Sequence, residues 1–317
     1  MAVLKSKEEA LEIVKESISG LNGHSREWLR ATEQFMLYLY ATGKEGNTIL
    51  SYKQPGMFLF KYLLDHDKPV EQVDEIDIEN MFAGTDNLKP QSRLIYAKRV
   101  LSFLNWIRGR AKLPLLSLRY VALPRPDKNS VDDQLKDENV YDMLNLIRSP
   151  RIRLAVFLMF KLGMRETEVL GLTYDSITTV NGKTVFTLRH KNGGYGAKGQ
   201  NPDKSKIWLS SFHSLGLLDD KDIETMNNLF NEVHSRYGDT DRIIGLKYES
   251  SIQNALAYAG YRIGLKFRMH PHLLRHHFIV KAALKRIPIN VAASLVRDDM
   301  ETLMKYYMTF APDLIEG

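Results

Sequence analysis

The feature that most constrains the fold is an aperiodic stretch at residues 112–134, which has helical patterns on both sides. This segment, "KLPLLSLRYVALPRPDKNSVDDQ", holds three prolines and no regular spacing of apolar residues, which is typical of a connection. A chain of 317 residues is long enough to bury two cores. The sequence therefore predicts a first domain at residues 1–123, a linker at 124–133 and a second domain at 134–317.

The first domain is predicted to be helical. Apolar residues recur at three- and four-residue spacing in "SREWLRATEQFMLYLYATG", between a capping Ser25 and a terminating Gly43. The segments "TILSYKQPGMFLFKYLLDH" and "KPQSRLIYAKRVLSFLNWIRGR" show the same spacing, and "DEIDIENMFAG" predicts a short acidic helix. The helix at 91–110 carries basic residues on or near its polar face, namely Arg93, Lys98, Arg99, Arg108 and Arg110.

The second domain combines helices with a small antiparallel sheet. Helical patterns at "KDENVYDMLNLI" and "SPRIRLAVFLMFKLG" precede an Asn-Gly turn and two β-rich runs, Thr184–Arg189 and Lys206–Leu209. From Lys221 onward the pattern is helical again. The predicted fold class is therefore mainly α, with a mixed α/β second domain.

Composition limits the class of protein and the kind of site. The apolar fraction of 44% and the charged fraction of 26% are ordinary for a globular protein. The absence of cysteine excludes disulfides and thiolate metal sites. Neither a membrane helix nor a secretory leader is predicted, so a cytoplasmic location is expected. The net charge of +6 is compatible with a polyanionic partner.

The segment "LMFKLGMRETEVLGLTYDSI" holds a candidate anion-binding arginine. An apolar helix ends at Gly163 and a second helix begins around Arg165, with Glu166 and Glu168 in its first turn. A simple ion pair with a glutamate is the usual role of an isolated arginine. A helix N-terminus also favours an anion, and an arginine there can clamp a phosphate through two hydrogen bonds.

Four lysines, Lys191, Lys198, Lys204 and Lys206, lie in a glycine-rich segment between the β-runs. Most of them fit the solvated tip of a hairpin. A lysine held at the end of a strand can instead donate a proton to a phosphate ester.

The segment "FRMHPHLLRHHFIV" contains four of the nine histidines, between His270 and His277. His272 and His276 are one helical turn apart, as two metal ligands would be, but the spacing offers no third ligand, so a metal site is disfavoured. His272 and Arg275 share a helical face. A histidine that exchanges a proton near neutral pH beside a fixed guanidinium suits a phosphoryl oxygen.

The last candidate segment, "NVAASLVRDDMETLMKYYMTFAP", combines a basic residue with adjacent tyrosines. Arg297 follows an apolar helix, and a second helix carries Tyr306 and Tyr307. Tyrosines in such positions are usually packing residues, although a tyrosine can also act as a covalent nucleophile.

In their order along the chain, these motifs resemble those of the tyrosine recombinase family, the phage integrases and Xer-type recombinases. "LGMRETEVLGLTYDSI" is similar to the first box of the family, and "HPHLLRHHF" to its His-x-x-Arg box. "SLVRDDMETLMKYY" is similar to the segment usually written Leu-Gly-His-Ser-Ser…Tyr, a register that puts Tyr306 at the nucleophile. "FMLYLYATGKEGNTILSYKQPGMFLFKYLL" and "RVLSFLNWIR" resemble the helical core-binding domain. The resemblance covers residues 24–312 and implies a core-binding domain followed by a catalytic domain.

Two departures from the family pattern affect the expected site. Arg297 stands where the family has His or Trp, and Val296 where glycine is usual; because an arginine can still donate to a phosphate oxygen, we expect a changed ligand. The hairpin loop is also longer than usual. Lys191, just after the strand, is the favoured catalytic lysine, and Lys198 in "AKGQ" is the alternative.

The resemblance implies a mechanism and a set of partners. The Tyr306 phenol attacks a scissile phosphate of double-stranded DNA to give a 3′-phosphotyrosyl bond, while cationic side chains stabilise the transition state. His272 takes the phenol proton or holds the phosphate, and the lysine protonates the leaving 5′-oxygen. The phosphotyrosine conserves the bond energy, so neither ATP nor a metal is expected. A tetramer on two DNA sites is implied. The expected catalytic set is Arg165, Lys191, His272, Arg275, Arg297 and Tyr306, and the expected DNA contacts are Arg93, Lys98, Arg99 and Arg108.

Three alternatives remain open from the residues. A noncatalytic DNA-binding protein on a degenerate recombinase scaffold would explain the departure at Arg297. A type IB topoisomerase-like enzyme would use similar residues but act as a monomer. A metal-dependent phosphodiesterase built on the histidines would lack acidic ligands.

Overall fold

The computed structural model describes residues 26–44, 46–83, 85, 88–121, 123, 135–188, 206–240, 242–245 and 250–315. The chain divides into two compact units between Asn129 and Ser130. Each unit has a hydrophobic core of its own. The predicted linker at 124–133 and the capping Ser25 lie outside the described residues.

The described part of the first unit is helical. Its helices are α1 (Arg26–Ala41), α2 (Gly46–Leu50), α3 (Lys53–Asp65), α4 (Glu75–Ala83) and α5 (Pro90–Arg110). The chain leaves α1 through Gly43, whose φ of +77° is a left-handed conformation that glycine adopts without steric penalty. In the core the rings of Phe35 and Phe103 meet edge-on at 5.0 Å.

One segment predicted as a single helix, at residues 48–66, is two helices in the structure. The break falls at Ser51 and Tyr52, between α2 and α3. Pro55 explains it, because in a continuous helix its ring would clash with the carbonyl of Ser51. In the first turn of α3 the missing N–H of Pro55 costs no hydrogen bond. The Ser51 hydroxyl instead donates to the carbonyl of Thr48 at 2.6 Å and closes α2.

The second unit is built around a buried helix. Its helices are α6 (Asp137–Leu146), α7 (Pro150–Leu162), α8 (Glu166–Leu170), α9 (Leu209–Ser214), α10 (Asp220–Tyr237), α11 (Ser250–Arg262), α12 (Pro271–Leu284), α13 (Ile289–Val296) and α14 (Met300–Phe310). Every residue of α7 from Leu154 to Leu162 is buried, as expected for a helix surrounded by others. α10 and α12 pack against α7, and α14 packs against α12 and α13.

The sheet of the second unit has three antiparallel strands in the order β1 (Ile177–Val180), β2 (Lys183–Thr187) and β3 (Lys206–Trp208). Asn181 and Gly182 join β1 to β2 with φ values of 50° and 72°, both positive as in a type I′ hairpin turn. The sequence runs predicted β2 and β3 but not β1, whose residues are mostly exposed and lack an apolar alternation. The predicted fold class, mainly α with a small antiparallel sheet, is confirmed.

Within the part of the chain that the structure describes, no helix combines the length and apolar character needed to cross a membrane.

Candidate active site

Arg165 caps the N-terminus of α8 through its interaction with Glu168. Its backbone N–H donates to Oε2 of Glu168 at 2.7 Å, and its guanidinium donates to Oε1 of the same carboxylate at 3.0 Å. The Arg165 side chain remains 23% exposed. The ion pair expected for an isolated arginine is therefore present, and the guanidinium still reaches the surface.

Arg275 approaches the same region from α12, and its side chain is only 2% exposed. It donates to the carbonyl of Gly163 at 2.5 Å and to the carbonyl of Val296 at 2.6 Å. Gly163 ends α7 with a φ of +58°, and a Cβ there would lie 2.7 Å from the Phe278 ring, so glycine is required at this position. Burial and the nearby arginines lower the pKa of Arg275 to about 10, which leaves it charged at neutral pH.

The turn between α13 and α14 links both arginines. Arg297 adopts the left-handed conformation, with a φ of 56°, and its carbonyl accepts from Arg165 at 3.0 Å. The next residue, Asp298, places one carboxylate oxygen 3.1 Å from Arg165 and 3.0 Å from Arg275. Three successive residues of this turn, including Val296, therefore accept from the two guanidinium groups.

Glu168 is the centre of the charge network. Its carboxylate is 0% exposed and pairs with Arg297 at 2.7 Å as well as with Arg165. Although burial alone would raise its pKa, the positive charge of Arg297, then of Arg165 and Arg275, lowers the pKa of Glu168 to about 2. The carboxylate is therefore ionised in the folded protein at neutral pH.

The side chain of Arg297 makes its contacts inside the protein. It is 7% exposed, with two nitrogens on Glu168 and a third donating to the carbonyl of Leu295 at 2.6 Å. The sequence predicted a ligand that donates to a phosphate oxygen, whereas the structure directs this guanidinium to a buried carboxylate.

A pocket of about 290 Å³ lies beside this network. Both α8 and α12 begin at it, and its lining consists of Met164, Arg165, Glu166, Gln253, His270, Pro271, His272 and Arg275. The predicted Arg165, His272 and Arg275 thus meet at one cavity. Such a site suits an anion because it combines two guanidinium groups with helix N-termini.

We expect His272 to titrate well below an ordinary histidine. Desolvation and the charges of His276, Arg275 and His270 lower the pKa of His272 to about 4, so the imidazole is neutral at pH 7. An NMR titration of the histidine ring protons, with His272→Asn to assign the resonance, measures this pKa. A value above about 6 would contradict the arrangement described for His272.

The other histidines of the segment have separate surroundings. The ring of His276 lies 4.5 Å from that of His272 and 5.3 Å from that of Tyr306, measured between centroids. His277 binds Asp137 at 2.6 Å, and neither residue lines the pocket. Among the described residues no group of three or more His, Asp or Glu side chains could hold a metal ion.

The two adjacent tyrosines of α14 have different neighbours. Tyr306 is 3% exposed, with its ring against His276 and the ammonium of Lys305 at 4.5 Å from its centroid. Tyr307 is 0% exposed, and its hydroxyl donates to the carbonyl of Ile287 at 2.7 Å. Burial raises the pKa of Tyr307 to about 12, so its phenol is a poor nucleophile.

Tyr307→Phe is therefore expected to lower the free energy of unfolding by about 1–3 kcal/mol, because the buried carbonyl of Ile287 loses its donor. Urea unfolding followed by circular dichroism measures the change. The control is Tyr258→Phe on α11, whose side chain is 58% exposed and whose hydroxyl accepts from Arg262. Equal stability of Tyr307→Phe and the wild type would contradict the structural role of this hydroxyl.

The α5 residues predicted to contact DNA differ in the contacts that their side chains already make within the protein. Lys98 is exposed. Arg108 donates to the carbonyls of Pro114, Glu71 and Val73, and so ties the end of α5 to neighbouring loops. Arg93 donates to the carbonyl of Leu88, and Arg99 lies 4.8 Å from the ring of Tyr52. The candidate catalytic lysines Lys191 and Lys198 lie outside the described residues.

Sequence reasoning missed Asp298 and the contact between His276 and Tyr306. The sequence held a signal for the first, since "VRDD" places acidic residues beside Arg297, but only the turn aims Asp298 at the two arginines. No spacing rule connects His276 to a tyrosine thirty residues later.

No family model and no curated protein matches the sequence. Solved structures match over nearly the whole chain. The XerH site-specific recombinase in a post-cleavage complex with a palindromic difH substrate superposes with a TM-score of 0.67 at 15% identity, over 100% of this chain and 97% of that one. A lambda integrase dimer bound to a COC' core site superposes with a TM-score of 0.60 at 18% sequence identity, over 89% of this chain and 95% of that one. The Tn1549 transposon integrase in complex with transposon right end DNA superposes with a TM-score of 0.55 at 11% sequence identity, over 97% of this chain and 98% of that one. The chain therefore has the fold of these recombinases and integrases.

Proposed function

We propose that the chain is a site-specific DNA recombinase of the tyrosine type, which cuts and rejoins strands through a 3′-phosphotyrosyl intermediate. The observation that carries this proposal is the convergence of Arg165, His272 and Arg275 at one pocket. Two guanidinium groups and an imidazole in a partly dehydrated cavity suit the charge that develops on a phosphodiester in the transition state. The fold shared with recombinases and integrases supports the same reading.

The two arginines act on the nonbridging oxygens of the scissile phosphate. Arg165 is partly exposed and meets the phosphate first, whereas the buried Arg275 is held in place by the carbonyls of Gly163 and Val296. Guanidinium groups fixed in advance stabilise a transition state more than mobile ones, because they need no reorganisation.

His272 and Tyr306 carry the proton transfer and the nucleophilic attack. A neutral His272 can accept the phenol proton or donate a hydrogen bond to the phosphate. The ring of His276 lies between those of His272 and Tyr306 and keeps the tyrosine close to the pocket. Because Tyr306 is buried in the DNA-free structure, its side chain must move for in-line attack. A hairpin lysine, Lys191 or alternatively Lys198, protonates the leaving 5′-oxygen.

Arg297 contributes through Glu168 in this proposal. Burial disfavours the ionised form of the Glu168 carboxylate that binds Arg165. The positive charge of Arg297 offsets this desolvation penalty and helps to keep the carboxylate ionised. The residue that replaces the usual His or Trp of the resembled family would then orient Arg165 instead of touching the phosphate.

The proposal includes double-stranded DNA as the partner, a tetramer as the active assembly and the cytoplasm as the location. Within α5, the exposed Lys98 is the residue best placed for a phosphate contact, while Arg108 is already bound to backbone carbonyls. No cofactor is required, because the phosphotyrosine conserves the energy of the cleaved bond.

Covalent trapping tests the proposal. The protein is incubated in EDTA with a pool of nicked duplexes of random sequence, designed so that the short strand released by cleavage diffuses away. Recombinase activity predicts a protein–DNA adduct that survives denaturing electrophoresis, and sequencing the trapped DNA gives the target site. DNA binding without any adduct would favour the noncatalytic scaffold.

Strand exchange separates the recombinase from a topoisomerase-like enzyme. Two duplexes that carry the recovered site, with arms of different length, should yield recombinant products. Relaxation of a supercoiled plasmid by a monomer, without recombinant products, would assign the chain to the topoisomerase-like alternative. An adduct that forms only when a divalent metal is present would contradict the metal-free mechanism.

A further inference from the structure

The carboxylate of Asp298 sits between the two arginines that the proposed function assigns to the phosphate. A single oxygen, Oδ2, is 3.1 Å from Arg165 and 3.0 Å from Arg275. One anionic oxygen shared by two guanidinium groups is also the arrangement that a nonbridging phosphate oxygen would adopt there.

The position between Arg165 and Arg275 cannot hold the Asp298 carboxylate and a phosphate oxygen at the same time. The Arg275 side chain is 2% exposed, and its other contacts are with the carbonyls of Gly163 and Val296 inside the protein. The side chain of Asp298 is more accessible, at 23% exposure. A phosphate oxygen can therefore bind between these Arg165 and Arg275 nitrogens only after the carboxylate leaves that position.

The charge of the network depends on the position of Asp298. With it in place, three guanidinium groups (Arg165, Arg275 and Arg297) face two carboxylates, Glu168 and Asp298, which leaves one net positive charge. With Asp298 turned into solvent, the same network carries two net positive charges. The network with Asp298 in place therefore attracts an anion less strongly than the network with Asp298 turned away. This difference is larger for a phosphate that carries two negative charges than for one that carries a single charge.

The position of Asp298 in the fold allows it to turn away without disturbing either helix. It lies in the two-residue connection between Arg297 and the start of α14. Within the described residues, its second oxygen accepts a single hydrogen bond, from the backbone N–H of Asp299 at 3.2 Å. Glu168, in contrast, is fully buried and fixed by Arg165 and Arg297.

We infer that Asp298 occupies the phosphate-oxygen position of the site and is exchanged for the scissile phosphate when DNA binds. It acts as an internal competitor that lowers the net charge of the arginine network and keeps the arginine pair ordered in the free protein. This inference rests on the proposed function, which identifies the phosphate as that of DNA. The exchange itself is expected with any tetrahedral oxyanion that binds between the two arginines.

The first test compares Asp298→Asn with Asp299→Asn. Both remove one negative charge from the same turn, but Asp299 is exposed and its side chain does not contact the arginines. Binding of inorganic phosphate is measured at fixed ionic strength from the rise of the melting temperature with concentration. We expect Asp298→Asn to bind phosphate about tenfold more tightly than the wild type, equivalent to about 1.4 kcal/mol, and Asp299→Asn to match the wild type. Equal affinity in Asp298→Asn and the wild type, or an equal gain in both variants, overturns the inference.

A second test uses the wild-type protein and does not depend on the folding of a variant. Crystals grown with tungstate, a tetrahedral dianion, should show it between Arg165 and Arg275 with Asp298 turned away. An unmoved Asp298, with or without tungstate elsewhere, overturns the inference. The trapping experiment separates this inference from the proposed function. If the wild type forms the adduct but Asp298→Asn binds phosphate no more tightly, only the exchange of Asp298 is rejected. If Asp298→Asn binds phosphate more tightly but the wild type forms no adduct, only the recombinase activity is rejected.

Discussion

Tyr306→Phe is expected to abolish the covalent protein–DNA adduct, reducing its rate of formation by at least about a thousandfold. The phenol oxygen forms the bond to phosphorus, and phenylalanine has no atom that can replace it. The neighbouring tyrosine cannot substitute, because the Tyr307 hydroxyl is buried and bound to the carbonyl of Ile287. The measurement is the amount of adduct on a denaturing gel after incubation with the trapped substrate.

Tyr307→Phe is the matched control for this experiment. It removes the same atom from the next residue of α14, and below its melting temperature it should form the adduct at the wild-type level. If Tyr307→Phe lost the adduct while Tyr306→Phe kept it, the nucleophile would be Tyr307 and the assignment would be off by one. DNA affinity measured in parallel should be similar in both variants, since neither hydroxyl contributes a charge.

Glu168→Gln is expected to lower the free energy of unfolding at pH 7 by about 3–5 kcal/mol, since it leaves the buried guanidinium of Arg297 without its counter-ion and removes one of the two carboxylates that bind Arg165. The same change should alter the pH dependence. Because folding lowers the pKa of Glu168 from its ordinary value of 4.5 to about 2, the carboxylate stabilises the folded state fully above pH 4.5, and this contribution is lost as the pH falls towards 2. The stability difference between wild type and variant should therefore shrink by about 3 kcal/mol across that window. Urea unfolding at a series of pH values measures it.

Glu166→Gln is the control, because it removes a less buried carboxylate from the same turn of α8. Its effect should stay within about 1 kcal/mol. If Glu168→Gln were as stable as the wild type and showed the same pH dependence, the arginines would be compensated by something other than Glu168. The role proposed for Arg297 would then fail with it.

Local patterns in the sequence predicted most of the elements. Three- and four-residue spacing identified the long helices, and Asn181–Gly182 identified the hairpin, because the backbone conformation of such a turn depends on those two residues. The prediction of one helix at 48–66 was wrong. The apolar spacing continues across Pro55, whereas a helix cannot continue across a proline in its interior. β1 was missed because its exposed residues give no alternation.

The candidate site was predictable in part. Arg165, His272 and Arg275 were identified from helix starts and one-face spacing, and they do meet at a pocket. The partners of these residues were not predictable, because a buried charge pairs with the opposite charge that lies nearest in space. That distance does not follow from separation along the chain. Arg297 is the clearest example: the sequence gives its type and position, while the fold turns it towards Glu168.

By itself the sequence determined the residue types, their order and the helices that carry them, because helix periodicity, capping and turn chemistry act between near neighbours along the chain. Only the tertiary structure decided which charges face one another. The left-handed turn at Arg297 brings the carbonyl of Val296 and the carboxylate of Asp298 onto Arg275, which lies 21 and 23 residues earlier in the chain. It also brings the carbonyl of Arg297 onto Arg165, which lies 132 residues earlier. Coulomb energy depends on separation in space and on burial, neither of which can be read from sequence spacing.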